Sequence, residues 1–147
     1  MKFSCQVDID LPRDQVIKLF DNPDNLTYWQ DGFVSFKHIS GEVGKPGAQS
    51  EMIYKMGSRE MVLLETVVLR DLPHAFHGTY EGKFGKNSMN NYFEELGPNK
   101  TRWKSDLHYI KTNGIIMKIM TKFFPSKMKQ QTQKWMDQFK AWSESVS

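Results

Sequence analysis

Met128-Lys129-Gln130-Gln131-Thr132-Gln133-Lys134-Trp135-Met136-Asp137-Gln138-Phe139-Lys140-Ala141-Trp142 is the stretch whose reading decides the fold. Met128, Thr132, Trp135, Phe139 and Trp142 are separated by four, three, four and three residues, which puts them on one stripe of an α-helix, with Met136 at its edge. Lys127, Lys134, Asp137 and Glu144 fall at other angles. The preceding turns keep the same period: Ile116, Met120 and Phe124 share one line, and Ile115, Ile119 and Phe123 the next. Pro125 has no N–H for the turn before it and disfavours α geometry at Phe124, so a kink or break is expected there. From Ser126 to Glu144 the helix would run roughly 28 Å at about 1.5 Å per residue, enough to cross a small sheet. Its oily stripe needs a partner of that size.

The upstream chain supplies one. Phe3, Cys5, Val7 and Ile9 alternate with Lys2, Ser4, Gln6, Asp8 and Asp10, the pattern of a half-buried strand. Leu11-Pro12-Arg13-Asp14 opens a short helix with Val16, Leu19 and Phe20 on one face, and Asp21 to Asp24 stops it. A second helical turn through Leu26, Tyr28 and Trp29 ends at Asp31-Gly32. Six strand-like segments follow: 33–40, 48–56, 60–70, 74–81, 87–96 and 101–111, divided by Gly, Pro, Asn and Asp turns. The glycines between Gly41 and Gly47 read as a hairpin connection and lack any nucleotide-loop spacing. An antiparallel meander has one face to cover, and only the last helix is long and oily enough to do it. The expectation is one α+β domain over residues 1–147: a seven-stranded antiparallel sheet curled around the C-terminal helix, with two short helices after the first strand.

Composition sets bounds. A chain of 147 residues can hold a real core, and 39% hydrophobic with 13% aromatic content rests burial on few, large side chains. No apolar run reaches membrane-spanning length, and the N-terminal residues lack a signal-peptide core, so a cytoplasmic protein is expected. Cys5 is the single cysteine, which excludes an internal disulfide and agrees with a reducing compartment. The net charge is +3, and residues 114–147 hold six lysines against Asp137 and Glu144. Lysines on the wet side of a helix serve solubility first and an anionic surface second. Nothing points to nucleic acid, and the chain is expected as a monomer or homodimer.

The segment Asp10-Leu11-Pro12-Arg13-Asp14-Gln15-Val16 through Leu19-Phe20-Asp21, then Trp29 and Gly32-Phe33, resembles the opening of the SRPBCC (START-like) superfamily, in its polyketide cyclase/dehydrase and lipid-transport-like branch. Glu65-Thr66-Val67 ahead of Leu72-Pro73, and the turn from Gly97 into Thr101-Arg102-Trp103, fit as well. The resemblance spans the whole chain in element order. It implies a helix-grip fold around a deep cavity for apolar ligands. It leaves function open, because lipid carriers, hormone receptors, cyclases and chaperone activators share that fold.

If a cavity exists, its walls come from alternate strand positions and the helix stripe. The expected lining is Met52, Tyr54 and Met56; Phe76 and Tyr80; Asn91 and Phe93; Trp103 and Leu107; and Met128, Trp135 and Phe139. Taken singly, each reads first as core, since large apolar side chains at such spacing are core by default; the cavity assignment comes from the resemblance. Ile116, Met120 and Phe123 are the expected gate, in a segment apolar over a wider arc than one packed face requires, with an ordinary buried helix as the competing view. The entrance is expected where the turns at 41–47 and 82–86 approach it.

Glu65 interrupts an apolar face formed by Met61, Leu63, Val67 and Leu69, while Val62, Leu64 and Val68 make the other face apolar too. Ionised groups are seldom buried unpaired, so the first expectation is a solvated, outward Glu65. Inward, it would be a carboxyl of raised pKa, a general base or ligand anchor. His74 and His77 lie three apart on an expected strand, on opposite faces, and His38 and His108 have no Cys or acidic partners at ligand spacing. No metal or cofactor is expected. No Gly-x-Ser-x-Gly setting supports a nucleophile.

The leading expectation is therefore a non-catalytic carrier or sensor of a small hydrophobic ligand, lipid- or polyketide-like. The alternatives are a cyclase or dehydratase drawing acid/base groups from Glu65, Tyr54, Asn91 or His74, and a module whose lysine-rich helix meets a protein or an anionic membrane surface.

Overall fold

The computed structural model describes residues 1–147. Strands β1 Lys2–Ile9, β2 Phe33–Ser40, β3 Gln49–Met56, β4 Arg59–Asp71, β5 Ala75–Gly82, β6 Gly85–Gly97 and β7 Lys100–Thr112 form one antiparallel sheet in the order β1-β7-β6-β5-β4-β3-β2. Helices α1 Arg13–Phe20 and α2 Leu26–Trp29 follow β1, joined by a 3₁₀ turn at Pro23–Asn25. Helices α3 Ile115–Phe123 and α4 Pro125–Ser145 follow β7. This is the α+β helix-grip arrangement. The meander places β2 to β7 in chain order, and β1 closes onto β7 with Lys2 opposite His108 and Ile9 opposite Thr101. Strands β4, β6 and β7 run a residue or more beyond their hydrophobic patterns because the turns that follow β3, β5 and β6 are tight. Gly57, at φ +65°, lets two residues join β3 to β4.

Pro125 breaks the C-terminal helix outright. Phe124 leaves helical geometry at φ −131° and ψ 46°, and α4 begins at Pro125, where a missing N–H costs nothing. The two helices then meet different fates. α4 lies beside the edge strand β1: Gln133 Nε2 donates to Gln6 O at 2.9 Å, and the Cys5 thiol points at Lys129 O at 3.6 Å. α3 has no buried residue at all. Ile115 is 77% exposed, and Ile116, Ile119, Phe123 and Phe124 are exposed too.

The core fills one end of the concave face. Phe20 from α1 sits with its ring centroid 4.9 Å from Phe93 and 5.3 Å from Trp103, both edge-on. Phe139 lies 5.3 Å from Trp103 and 5.2 Å from Trp29. Ile9 and Val16 are fully buried beside them. Polar ties fasten the same end of α4: the Asp10 N–H donates to Glu144 Oε1 at 3.0 Å, Lys140 pairs with Glu144 at 2.7 Å, and Tyr28 stacks on Trp142 at 5.5 Å. Met136, expected at the edge of the stripe, is buried, and so is Ser143, whereas Trp135 and Trp142 are only half-buried. The helix is covered from two sides, by β1 and by α2, so the buried line runs between the two apolar rows that the period distinguishes.

Candidate functional site

A cavity of about 990 Å³ occupies the other end, between the concave face and the first half of α4. The cross-strand register organises it. His38, Ser50, Glu65, Tyr80, Asn87 and Tyr109 stand side by side on β2 through β7, and all six line the cavity as a polar row. Apolar rows flank it: Phe36, Met52 and Leu63 on one side, Val67, Met89 and Leu107 on the other. Met128, Thr132 and Trp135 from α4 face them.

Glu65 corrects the first expectation. It points inward and is only 9% exposed, in the same phase as Met61, Leu63 and Val67. Val62 and Val68 take the outer face, 45% and 53% exposed. The pairing of β4 between β3 and β5 sets this phase, and a register shift after Val67 turns Leu69 outward. The Glu65 carboxylate accepts a hydrogen bond from Tyr80 Oη at 2.8 Å and has no ion-pair partner. Burial pushes its pKa above the usual carboxylate range, and the Tyr80 bond offsets part of that. Tyr80 itself is held far from ionising, first by burial and then by the Glu65 charge. Gly78 gives this pair room: a Cβ there would stand 3.3 Å from Tyr80 Oη and 3.4 Å from Thr66 O, close enough that the phenol would have to shift slightly.

Tyr54 is a second buried phenol, with its pKa raised chiefly by burial. Its Oη donates to Gln30 Oε1 at 2.7 Å, and its ring stacks on Trp135 with centroids 5.3 Å apart. Trp135 Nε1 is buried without a hydrogen-bond partner. Asn91 lines the cavity, yet its Oδ1 is committed to Trp103 Nε1 and Ser105 Oγ, each at 2.9 Å. That makes it a structural clamp between β6 and β7 rather than a free acid/base group.

The expected lining residues divide. Met52, Tyr54, Met56, Phe76 and Tyr80 line the cavity, as do Asn91, Trp103, Leu107, Met128 and Trp135. Phe93 and Phe139 do not; they belong to the ring cluster of the packed end, where α1 and α2 fill the space. Among the expected gate residues, Met120 faces the cavity together with Met117, while Ile116 and Phe123 point to the outside, 64% and 63% exposed. One helical face can meet the opening, and the methionines occupy it. The turns at Val43 to Pro46 and Lys83 to Lys86 border the same cavity. His74 stands before β5, its N–H bonded to Asp71 O at 2.8 Å, while His77 packs edge-on to Tyr92 away from the cavity. Gln30 and Asn87 carry no signal in the sequence, and His38 reads there only as an isolated histidine. Only cross-strand register and the return of α2 over β3 bring them into the site.

The architecture is a helix-grip fold, a seven-stranded antiparallel sheet around a long C-terminal helix. No family model matches the sequence, and no curated protein matches it. Solved structures do match in fold. TTHA0849 from Thermus thermophilus superposes with a TM-score of 0.81 at 17% identity, covering 100% of this chain and 99% of that one. The ZhuI aromatase/cyclase from a Streptomyces species gives a TM-score of 0.79 at 8% identity, over 98% of this chain and 93% of that one. Ara h 8.0201 gives 0.74 at 14% identity, over 99% and 98%. At such identities the likeness is one of fold.

Proposed function

We propose that this protein binds a small hydrophobic molecule, of lipid or polyketide kind, in the cavity between the sheet and α4. The observation that carries the reading is the cavity itself. About 990 Å³ is at the upper end of the size of small-molecule sites, and most of the hydrophobic side chains in its wall are Met or aromatic, with polar groups set among them. Methionine and ring faces adapt to apolar bodies of varied shape. Burial of apolar surface drives association, while the polar row sets orientation. The inward Glu65–Tyr80 pair favours a second reading, acid/base chemistry on the bound molecule, and the aromatase/cyclase among the fold neighbours supports it.

Titration with the neutral probe N-phenylnaphthylamine tests the first reading. Saturable enhancement of probe fluorescence is expected, weakened by Trp135→Ala and by Met52→Glu. Absence of saturable binding in the wild type, together with native mass spectrometry of freshly purified protein that finds no bound small molecule, would sink it.

A further inference from the structure

Resting on the ligand-binding reading above, we infer that the ligand is an apolar molecule carrying a hydroxyl, and that Glu65 is the acceptor that holds it. Glu65 is a buried carboxyl in the polar row, between two apolar rows of the cavity wall, with no cation beside it. Its one protein partner is Tyr80, which bonds Oε2. A carboxyl oxygen accepts more than one hydrogen bond, so the group retains acceptor capacity on its cavity side. Burying such a group against a purely hydrocarbon ligand would strip its remaining solvation with nothing in return. An O–H group on the ligand satisfies it whether the carboxyl is ionised or protonated.

The charges around the cavity discriminate among donors. Lys45, Lys83, Lys86 and Lys127 border it, and none is ion-paired. Arg70, which also borders it, is neutralised by Asp21. An ammonium would have to pass this cationic border before reaching Glu65. A carboxylate could approach the border, but would meet like charge at Glu65. A neutral hydroxyl avoids both obstacles. The row on either side of Glu65 suits an apolar alcohol or phenol: Ser50 and Tyr80 continue the polar line, while Met52, Leu63, Val67 and Met89 flank it with apolar surface.

The test compares a naphthol with its methyl ether, two molecules of the same apolar body of which only the first can donate. Each is titrated against bound N-phenylnaphthylamine. The wild type is expected to bind the naphthol about tenfold or more tightly than the ether, as sites built around a hydroxyl do. Glu65→Leu should erase that preference while keeping or improving the affinity for the ether. Equal wild-type affinities would overturn the inference and leave the ligand-binding reading intact, and this comparison needs no variant. A preference that survives in folded Glu65→Leu protein would assign the hydroxyl to another acceptor and overturn it equally. Failure of the probe and both naphthalenes to bind would overturn the ligand-binding reading itself.

Discussion

The two halves of the concave face use the same residue types for opposite ends. At one end Phe93 and Phe139 interlock with Phe20, Trp29 and Trp103, whose far sides border the cavity, and α1 and α2 fill the gap between sheet and α4. At the other, Met52, Tyr54, Met128 and Trp135 meet no such plug and surround open space. An aromatic at helical spacing is therefore neither core nor lining by nature. What decides is whether a second layer reaches it.

The largest effect should come from truncating the packed end. Phe139→Ala removes a fully buried ring and should cost about 3–5 kcal/mol in urea denaturation. Trp135→Ala, which enlarges a cavity that already exists, should cost less than half as much. Equal losses would mean that the two ends are one core.

Asn91→Ala probes the seam between the halves. It leaves Trp103 Nε1 and Ser105 Oγ without their shared acceptor, at about 1–3 kcal/mol for each unpaired buried donor. The same denaturation curves measure it. A neutral result would show that water or a rearranged side chain replaces the amide.

Glu65 gives the open half a pH signature. Its folded pKa is raised above the ordinary 4.5 by burial, so the folded protein binds the proton more tightly than the unfolded chain. The resulting stability is fully present below pH 4.5 and is lost as pH rises through the folded pKa. The buried groups facing Glu65, Tyr80 and Tyr54, have their own pKa values raised above 10 and stay neutral throughout. Glu65→Gln should thus be more stable than wild type at neutral pH, with the advantage shrinking towards pH 4. A constant difference across that range would place the carboxyl in water.

The smallest effect is expected on α3. Ile116→Ser should change stability by no more than about 0.5 kcal/mol, because the side chain is 64% exposed. Amides of residues 115–123 should exchange fast in the free protein and slow when N-phenylnaphthylamine is added, through Met117 and Met120 at the cavity. Slow exchange without the probe would make α3 an ordinary packed helix.

The period of residues 128–142 and the strand-turn alternation before it determined the element order, the meander and the helix that the sheet grips. They also marked the break at Pro125, since proline's missing N–H acts locally. Local chemistry could not settle which apolar residues pack and which line space. Phe93 and Phe139 have the spacing of Tyr54 and Trp135, and only the positions of α1 and α2 separate the pairs. Nor could it orient β4, whose two faces are both apolar in sequence: a strand's period of two fixes which residues share a face, while pairing with β3 and β5 decides which face turns in. The inward Glu65 and the polar row beside it follow from that long-range choice, and Ile116 and Phe123 are exposed because no element covers their side of α3: burial belongs to what the neighbouring elements cover and not to the residue alone.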